Sequence, residues 1–397
     1  MPEFLRDRTF RLQLVIFILF NLFFYLFLLR FNSLIPFNFN SYRFNAHHFE
    51  TDPKSVGRPF NLFSGLAQFD AQWYLKIASD GYPYNPHVQN DLTARNRMQN
   101  LVFAFFPLYP MLIRIINFLF ASVDLSAFIT TNLLLISDFI SLYYLVSRFY
   151  SKELAVKTVW LMFLYPFSVF FRSFFAEGLL LLLIIWFVYF LRDRRYFISA
   201  LLLGLSNITK GTAILLNLVF LFYLVRDLKN HRLSPGRFIS SLLVTVLPLT
   251  GWLVFNYFKT GNPFYFSRVL SSWFVPPPGI PYLIYNLAVF LSFFQLPLHF
   301  MHFSQIDCST LIILSVLLVS GYKHLNRLLW WTSFCIFLTP LLVHDLSSYS
   351  RYQIISFPVF IYLAKISNPW VYRGLLLLFA VGLFALSLYF VNWYWVG

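Results

Sequence analysis

The chain has 397 residues, of which 59% are hydrophobic and only 11% charged, and its mean hydropathy is +0.68. Soluble domains carry about 25% charged residues, so a surface wetted all round is excluded. A disordered chain is excluded too, and apolar runs of about 15–25 residues match bilayer-spanning helices rather than the short alternating segments of a barrel. The formal charge of +15 sits mainly in short turns between apolar runs, where the positive-inside rule places it, and forms no continuous basic face for nucleic acid.

In chain order, Arg6, Arg8 and Arg11 precede a run from Leu12 to Leu29 that ends near Arg30. That run is too long for the apolar core of a cleaved signal peptide and lacks a small-residue cleavage site. It reads as a first membrane helix with a cytoplasmic N-terminus. The mixed stretch 31–100 holds five of the fifteen acids (Glu50, Asp52, Asp70, Asp80 and Asp91), so an outer loop covering 31–124 is expected. Within it, the segment from Phe69 to Tyr82 reads as a helix with Phe69, Trp73, Tyr74 and Ile77 on one apolar stripe, lying on the membrane surface, with Asp70 near its start and Gly81 and Pro83 stopping it. Segment 106–120 is apolar but carries Arg114 and two prolines, and is expected as a second interfacial helix.

Spans are expected at 125–147, 155–172 and 175–191, with basic turns at Arg148–Lys157 and Arg192–Arg195. Residues 197–225 lie between two basic turns, so they should cross an even number of times, yet they are too few for two full spans. A pair of short helices broken at Asn207-Ile208-Thr209-Lys210-Gly211 resolves this, and broken helices at depth are tolerated only where they line protein or a wet cavity. Span 238–257 follows, then an outer loop 258–307 with Pro276-Pro277-Pro278 and an interfacial helix near 282–298. Spans at 309–322, 327–343, 352–365 and 371–393 complete an all-α bundle of about eleven crossings with the C-terminus outside. No internal repeat and no soluble domain is visible.

Ionisable residues within or beside spans are few, and a charge at a helix centre costs about 2.5–3.5 kcal/mol on insertion, so such residues usually face a cavity and pair. Asp138, Arg172, Glu177 and Lys210 stand out. Asp138 is deepest and reads as a buried structural hydrogen-bonder. Asp70 is either a helix cap or a general base on a hydroxyl. Segment Phe106-Pro107-Leu108-Tyr109-Pro110 is either helix-start punctuation or an aromatic wall for a sugar or lipid. Arg351, in Ser347-Ser348-Tyr349-Ser350-Arg351-Tyr352 after His344 and Asp345, enters a span against the positive-inside bias, so it needs an anion. A lipid phosphate suits its bidentate fork, and headgroup snorkelling is the plainer alternative. Cys308 and Cys335 read as packing residues, His47-His48 and His299…His302 lack a ligand set for metal, and the sequon at Asn207 lies at membrane depth. No Walker loop or serine elbow is present.

The order FDAQWYLKIASDGY, AFFPLYP, FFAEG, NITKG and SYSRY resembles the GPI mannosyltransferase II (PIG-V) family and its bacterial relatives, within the GT-C superfamily of lipid-linked glycosyltransferases, over nearly the whole chain. The resemblance implies inverting transfer of a hexose, mannose by the family's name, from a polyprenyl-phosphate donor to a lipid or glycan hydroxyl. The reaction would take place on the periplasmic or luminal face of a bacterial or endoplasmic-reticulum membrane. It maps the catalytic base onto Asp70, donor-phosphate binding onto Lys210 and Arg351, and substrate contacts onto Glu177, Trp73, Tyr74, Tyr109 and Tyr349. Many superfamily members pair two acids in the first loop. Here Ala71 and Gln72 follow Asp70, so a bound divalent metal is in doubt and no other cofactor is implied. A transporter or lipid flippase using Asp138, Glu177 and Lys210 as a relay is the main alternative, and a non-catalytic scaffold subunit is another.

Overall fold

The helices begin where the sequence supplies caps. Asp7 accepts from Thr9 N–H at 2.9 Å, Ser151 from Leu154 at 3.1 Å, and Asn368 from Trp370 at 2.9 Å with Pro369 in the first turn. Each such cap contributes about 1 kcal/mol. A computed structural model describes residues 7–46, 60–84, 100–270, 279–292, 304–343 and 346–397. Arg6, His47, His48, Glu50, Asp52, Asp91, Pro276–Pro278, His299, His302, His344 and Asp345 lie outside the described residues.

In chain order the helices are α1 (Arg8–Phe31), α2 (Phe39–Asn45), α3 (Leu62–Leu66), α4 (Asp70–Asp80), α5 (Leu108–Phe120), α6 (Val123–Phe149) and α7 (Lys152–Leu164). Next come α8 (Glu177–Arg192), α9 (Tyr196–Asn207), α10 (Leu216–Lys229), α11 (Pro235–Thr260) and α12 (Tyr265–Leu270). The last are α13 (Ile280–Ser292), α14 (Ser304–Gly321), α15 (Arg327–Val343), α16 (Tyr349–Tyr352), α17 (Phe357–Ala364) and α18 (Pro369–Val391). No strand occurs among the described residues. Five helical segments there are long and apolar enough to cross a membrane: Arg8–Leu34, Val123–Phe149, Gly211–Lys229, Pro235–Thr260 and Pro369–Val391. Leu19, Phe118, Leu247 and Leu377 are among many large apolar side chains left exposed, as an embedded surface requires. The protein is a helical membrane protein.

Two expected spans are interrupted. Residues 155–172 divide into α7 and a 3-10 turn at Pro166–Phe171, because Pro166 pushes Tyr165 into extended backbone (ψ 137°). Residues 352–365 divide into α16, the 3-10 turn Gln353–Ile355 and the short α17. The expected break after Asn207 is present, with Lys210 in extended backbone between α9 and α10.

The chain forms two compact units. The first comprises Met1–Leu75, Ile113–Gly178 and Phe360–Val396. Here α1 buries Phe10, Phe17, Phe24 and Leu28 on one stripe, and Phe17 stacks on Phe139 of α6 with ring centres 4.2 Å apart. Gly382 of α18 lies so close to Pro166 that a Cβ there would sit 2.7 Å from its Cγ. Arg172 is fully buried, with Nε donating to Asn21 at 2.8 Å, Nη1 to the Ser168 carbonyl and hydroxyl, and Nη2 to the Phe163 carbonyl. It pins α1 to the interrupted segment. Asp138 is also fully buried, and neither carboxylate oxygen makes a hydrogen bond. The expected structural hydrogen-bonder is therefore corrected to a buried carboxyl whose oxygens lack hydrogen-bond partners.

The second unit comprises Lys76–Leu112, Leu179–Val359 and Gly397. Its α9 and α10 run antiparallel: Asn207 and Asn217 exchange amide hydrogen bonds at 3.2 and 3.1 Å beside the break, and Tyr196 donates to Asp227 at the opposite end. α9 also presses on α11, where a Cβ on Gly204 would lie 2.7 Å from the Thr245 carbonyl oxygen and 3.0 Å from Pro248. Gly204→Leu is therefore expected to lose about 1–3 kcal/mol in thermal unfolding in detergent. Gly251→Ala, on the facing helix α11 and with nothing within 4 Å of its Cβ position, should keep or raise stability.

Candidate functional site

In the first unit, Asp70 is the first residue of α4 and follows Phe69, whose φ is +54°. A left-handed backbone at a non-glycine residue costs about 1–3 kcal/mol and persists only where its surroundings over-determine it. Three features do so. The Phe69 ring lies 5.9, 5.2 and 4.9 Å from those of Phe390, Trp393 and Trp395. Gln68 donates to the Val391 carbonyl at 2.8 Å and accepts from the Trp393 N–H at 3.1 Å, and Trp393 itself has φ +65°. Gln72 donates to the carbonyls of Asn45 and Phe69, both at 3.1 Å. Asp70 thus has its backbone set by neighbours on both sides, with its carboxylate in the first helical turn, where the helix dipole favours a negative charge.

Trp73 and Tyr74 are buried, as are Ala71, Gln72, Leu75, Ile77 and Ala78. The expected surface-lying helix with one apolar stripe is therefore corrected: α4 is enclosed on all sides over its first two turns, which positions Asp70 from a rigid base. Its stop is as expected, with Gly81 at φ +77° and its N–H on the Ile77 carbonyl.

Glu177, 1% exposed, is the first residue of α8. The residues leading to it share the aromatic cluster that holds Phe69: Phe175 lies 6.0 Å from Phe390, and Phe170 lies 5.8 Å from Trp395. The segments that present Asp70 and Glu177 are therefore moored to one set of rings.

In the second unit, Lys210 sits in the helix break and places its ammonium 4.7 Å from the Tyr352 ring centre. The Arg351 guanidinium lies 5.6 Å from the same centre. Two cations far apart in sequence therefore share one phenol ring, and Arg351 is 1% exposed. Ser348, at φ +70°, starts the turn; Ser350 N–H donates to Asp307 at 2.7 Å, its hydroxyl to Thr310 at 2.9 Å, and Tyr349 OH to the Phe337 carbonyl at 3.1 Å. Tyr109 is fully buried at the start of α5, where Leu108 N–H reaches the Ile208 carbonyl at 3.3 Å and Phe106 lies against Gly211. The FPLYP segment is therefore docked on the Lys210 break.

Lys210 and Arg351 are thus brought together with Tyr349 and Tyr109 in the second unit, and Asp70, Trp73, Tyr74 and Glu177 are placed in the first. The sequence marks neither Gln68 nor the left-handed backbone of Phe69, and Tyr352 stands inside the SYSRY motif without a role of its own. Among the described residues no three His, Cys, Asp or Glu side chains are grouped to hold a metal ion. No family model, characterised protein or solved structure matches the chain.

Proposed function

We propose that this protein is a GT-C-type membrane glycosyltransferase that moves a hexose, mannose in the first instance, from a polyprenyl-phosphate donor to a hydroxyl of a lipid or glycan. The observation that carries this reading is the pair of cations on Tyr352 at a helix break. Two cations gathered at one ring can each make a charge-assisted contact to a single phosphate. In this reading Lys210 and Arg351 hold the donor phosphate and stabilise it as the leaving group. Asp70 takes the proton of the acceptor hydroxyl as its oxygen attacks the anomeric carbon on the face opposite the phosphate. Glu177, Trp73, Tyr74, Tyr109 and Tyr349 contact substrate. The shorter apolar helices bring the bundle to about eleven crossings, with the reaction on the outer or luminal side.

The test is release of free polyprenyl phosphate from polyprenyl-phosphate mannose, or from its glucose counterpart, by purified protein in liposomes containing a total membrane-lipid extract. Release above that of protein-free liposomes is expected. Intact donors would sink the reading. Asp138 favours a second one, a transporter with that carboxyl as a proton carrier, because its oxygens are buried and make no hydrogen bond. That reading expects intact sugar-lipid to cross the bilayer with its glycosidic bond unchanged.

A further inference from the structure

On α11, Trp252 and Asn256 lie one helical turn apart, and both are buried. The Asn256 amide nitrogen donates to the Trp252 carbonyl at 2.8 Å, which leaves its Oδ1 with no donor, and the Trp252 indole N–H has no acceptor. A buried polar group left without a partner is costly. A donor and an acceptor orphaned within one turn point to a partner from outside the chain.

The surroundings say what kind. The Trp252 ring stacks on Phe255 at 5.5 Å and an interplanar angle of 15°, and lies 5.1 Å from Tyr82 and 6.2 Å from Phe106. Tyr82 uses its own hydroxyl on the Phe105 carbonyl at 2.7 Å, and burial pushes its phenol well above the usual range, so it stays a donor there. A sugar ring suits this set. Its C–H faces pack on aromatic rings, and its hydroxyls both donate and accept. A bare phosphate offers acceptors without an apolar face, and an acyl chain would leave both orphans unpaired. Phe106 supplies the link to the cations, because its Cε2 lies 4.0 Å from the position of a Cβ on Gly211, the residue after Lys210.

We infer that the Trp252–Asn256 turn is the hexose subsite of the donor, with the indole N–H donating to one sugar oxygen and Asn256 Oδ1 accepting from a hydroxyl. This rests on the reading of the chain as a polyprenyl-phosphate-sugar transferase and extends it to residues that reading does not name. Trp252→Phe removes the N–H and keeps an aromatic ring, and Asn256→Leu removes the acceptor at similar volume.

The experiment is equilibrium binding to the full chain in nanodiscs, with polyprenyl-phosphate mannose, polyprenyl-phosphate glucose and bare polyprenyl monophosphate as probes. The wild-type protein is expected to bind a sugar-bearing lipid about a hundredfold more tightly than the bare one. Each variant should lose about a factor of ten of that preference, with affinity for the bare lipid unchanged, since a single hydrogen bond of about 1.4 kcal/mol corresponds to about tenfold. The full preference retained in both variants overturns the subsite and means that the indole N–H merely rests on the Tyr82 ring. An equal loss for all three lipids marks damage to the packing of α11 and overturns it as well. The transferase reading is scored separately by donor cleavage. Cleavage with the full preference retained in both variants removes the subsite alone, and absence of both preference and cleavage removes both.

Discussion

Asp70→Asn protein is expected to bind polyprenyl-phosphate mannose as the wild type does and to transfer the sugar about 10²–10⁴-fold more slowly, the range that a positioned general base contributes. Asparagine is nearly isosteric and keeps the place in the first turn of α4, so the strained Phe69 and its Gln68 and Gln72 clamps have no reason to move. What is lost is the capacity to take a proton. The measurement is single-turnover transfer with donor bound, alongside the donor dissociation constant. Transfer within a few-fold of wild type would remove Asp70 from the chemistry and leave it as an acid favourably placed at a helix start.

Arg351→Met is expected to lower kcat/KM for the same donor by about 10²–10³-fold, the magnitude found when one preorganised group facing developing negative charge is removed. Methionine is long and flexible enough to fill the buried site, and Tyr349 and Ser350 just before it retain their own hydrogen bonds. Arg351→Lys should recover only part of the loss, because an ammonium lacks the planar fork that grips two phosphate oxygens. Lys210→Met should act in the same direction, and the double variant should fall short of the product of the two because both cations face one Tyr352 ring. A double variant with unaltered kcat/KM and an unchanged melting temperature would dismiss the phosphate role.

Much of this organisation was legible in the residues. The apolar runs and basic turns located α1, α6, α11 and α18, and the arithmetic of residues 197–225 demanded the break that carries Lys210. Local backbone chemistry was harder to see. Pro166 divides an otherwise uniform apolar run, and hydropathy averages over a single proline even though it removes a helical hydrogen bond. The amphipathic spacing of Phe69, Trp73 and Ile77 predicts one buried face, but enclosure of α4 on all sides depends on partners such as Asn45, which is remote in sequence. Phe69 at positive φ has no compositional mark, since glycine is the residue that ordinarily announces such a turn. A tryptophan and an asparagine within a span, such as Trp252 and Asn256, read as ordinary in the sequence. Only coordinates reveal that their polar atoms go unanswered.

The α9–α10 hairpin is fastened differently at its two ends. Beside Lys210 the fastening is a pair of neutral amides, Asn207 and Asn217. At the far end Asp227 is held by Arg194 and Arg226, whose side chains are 46% and 38% exposed. Dissolved salt screens exposed charges over about 8 Å at physiological ionic strength but has little hold on an amide pair. Concentrated electrolyte should therefore loosen the two exposed arginines from Asp227, which is itself buried and keeps its Tyr196 hydrogen bond, while the lysine turn keeps its shape. A titration of anionic-lipid affinity against ionic strength would then report the shielding of the ligand's own charge, free of any collapse of the loop that receives it.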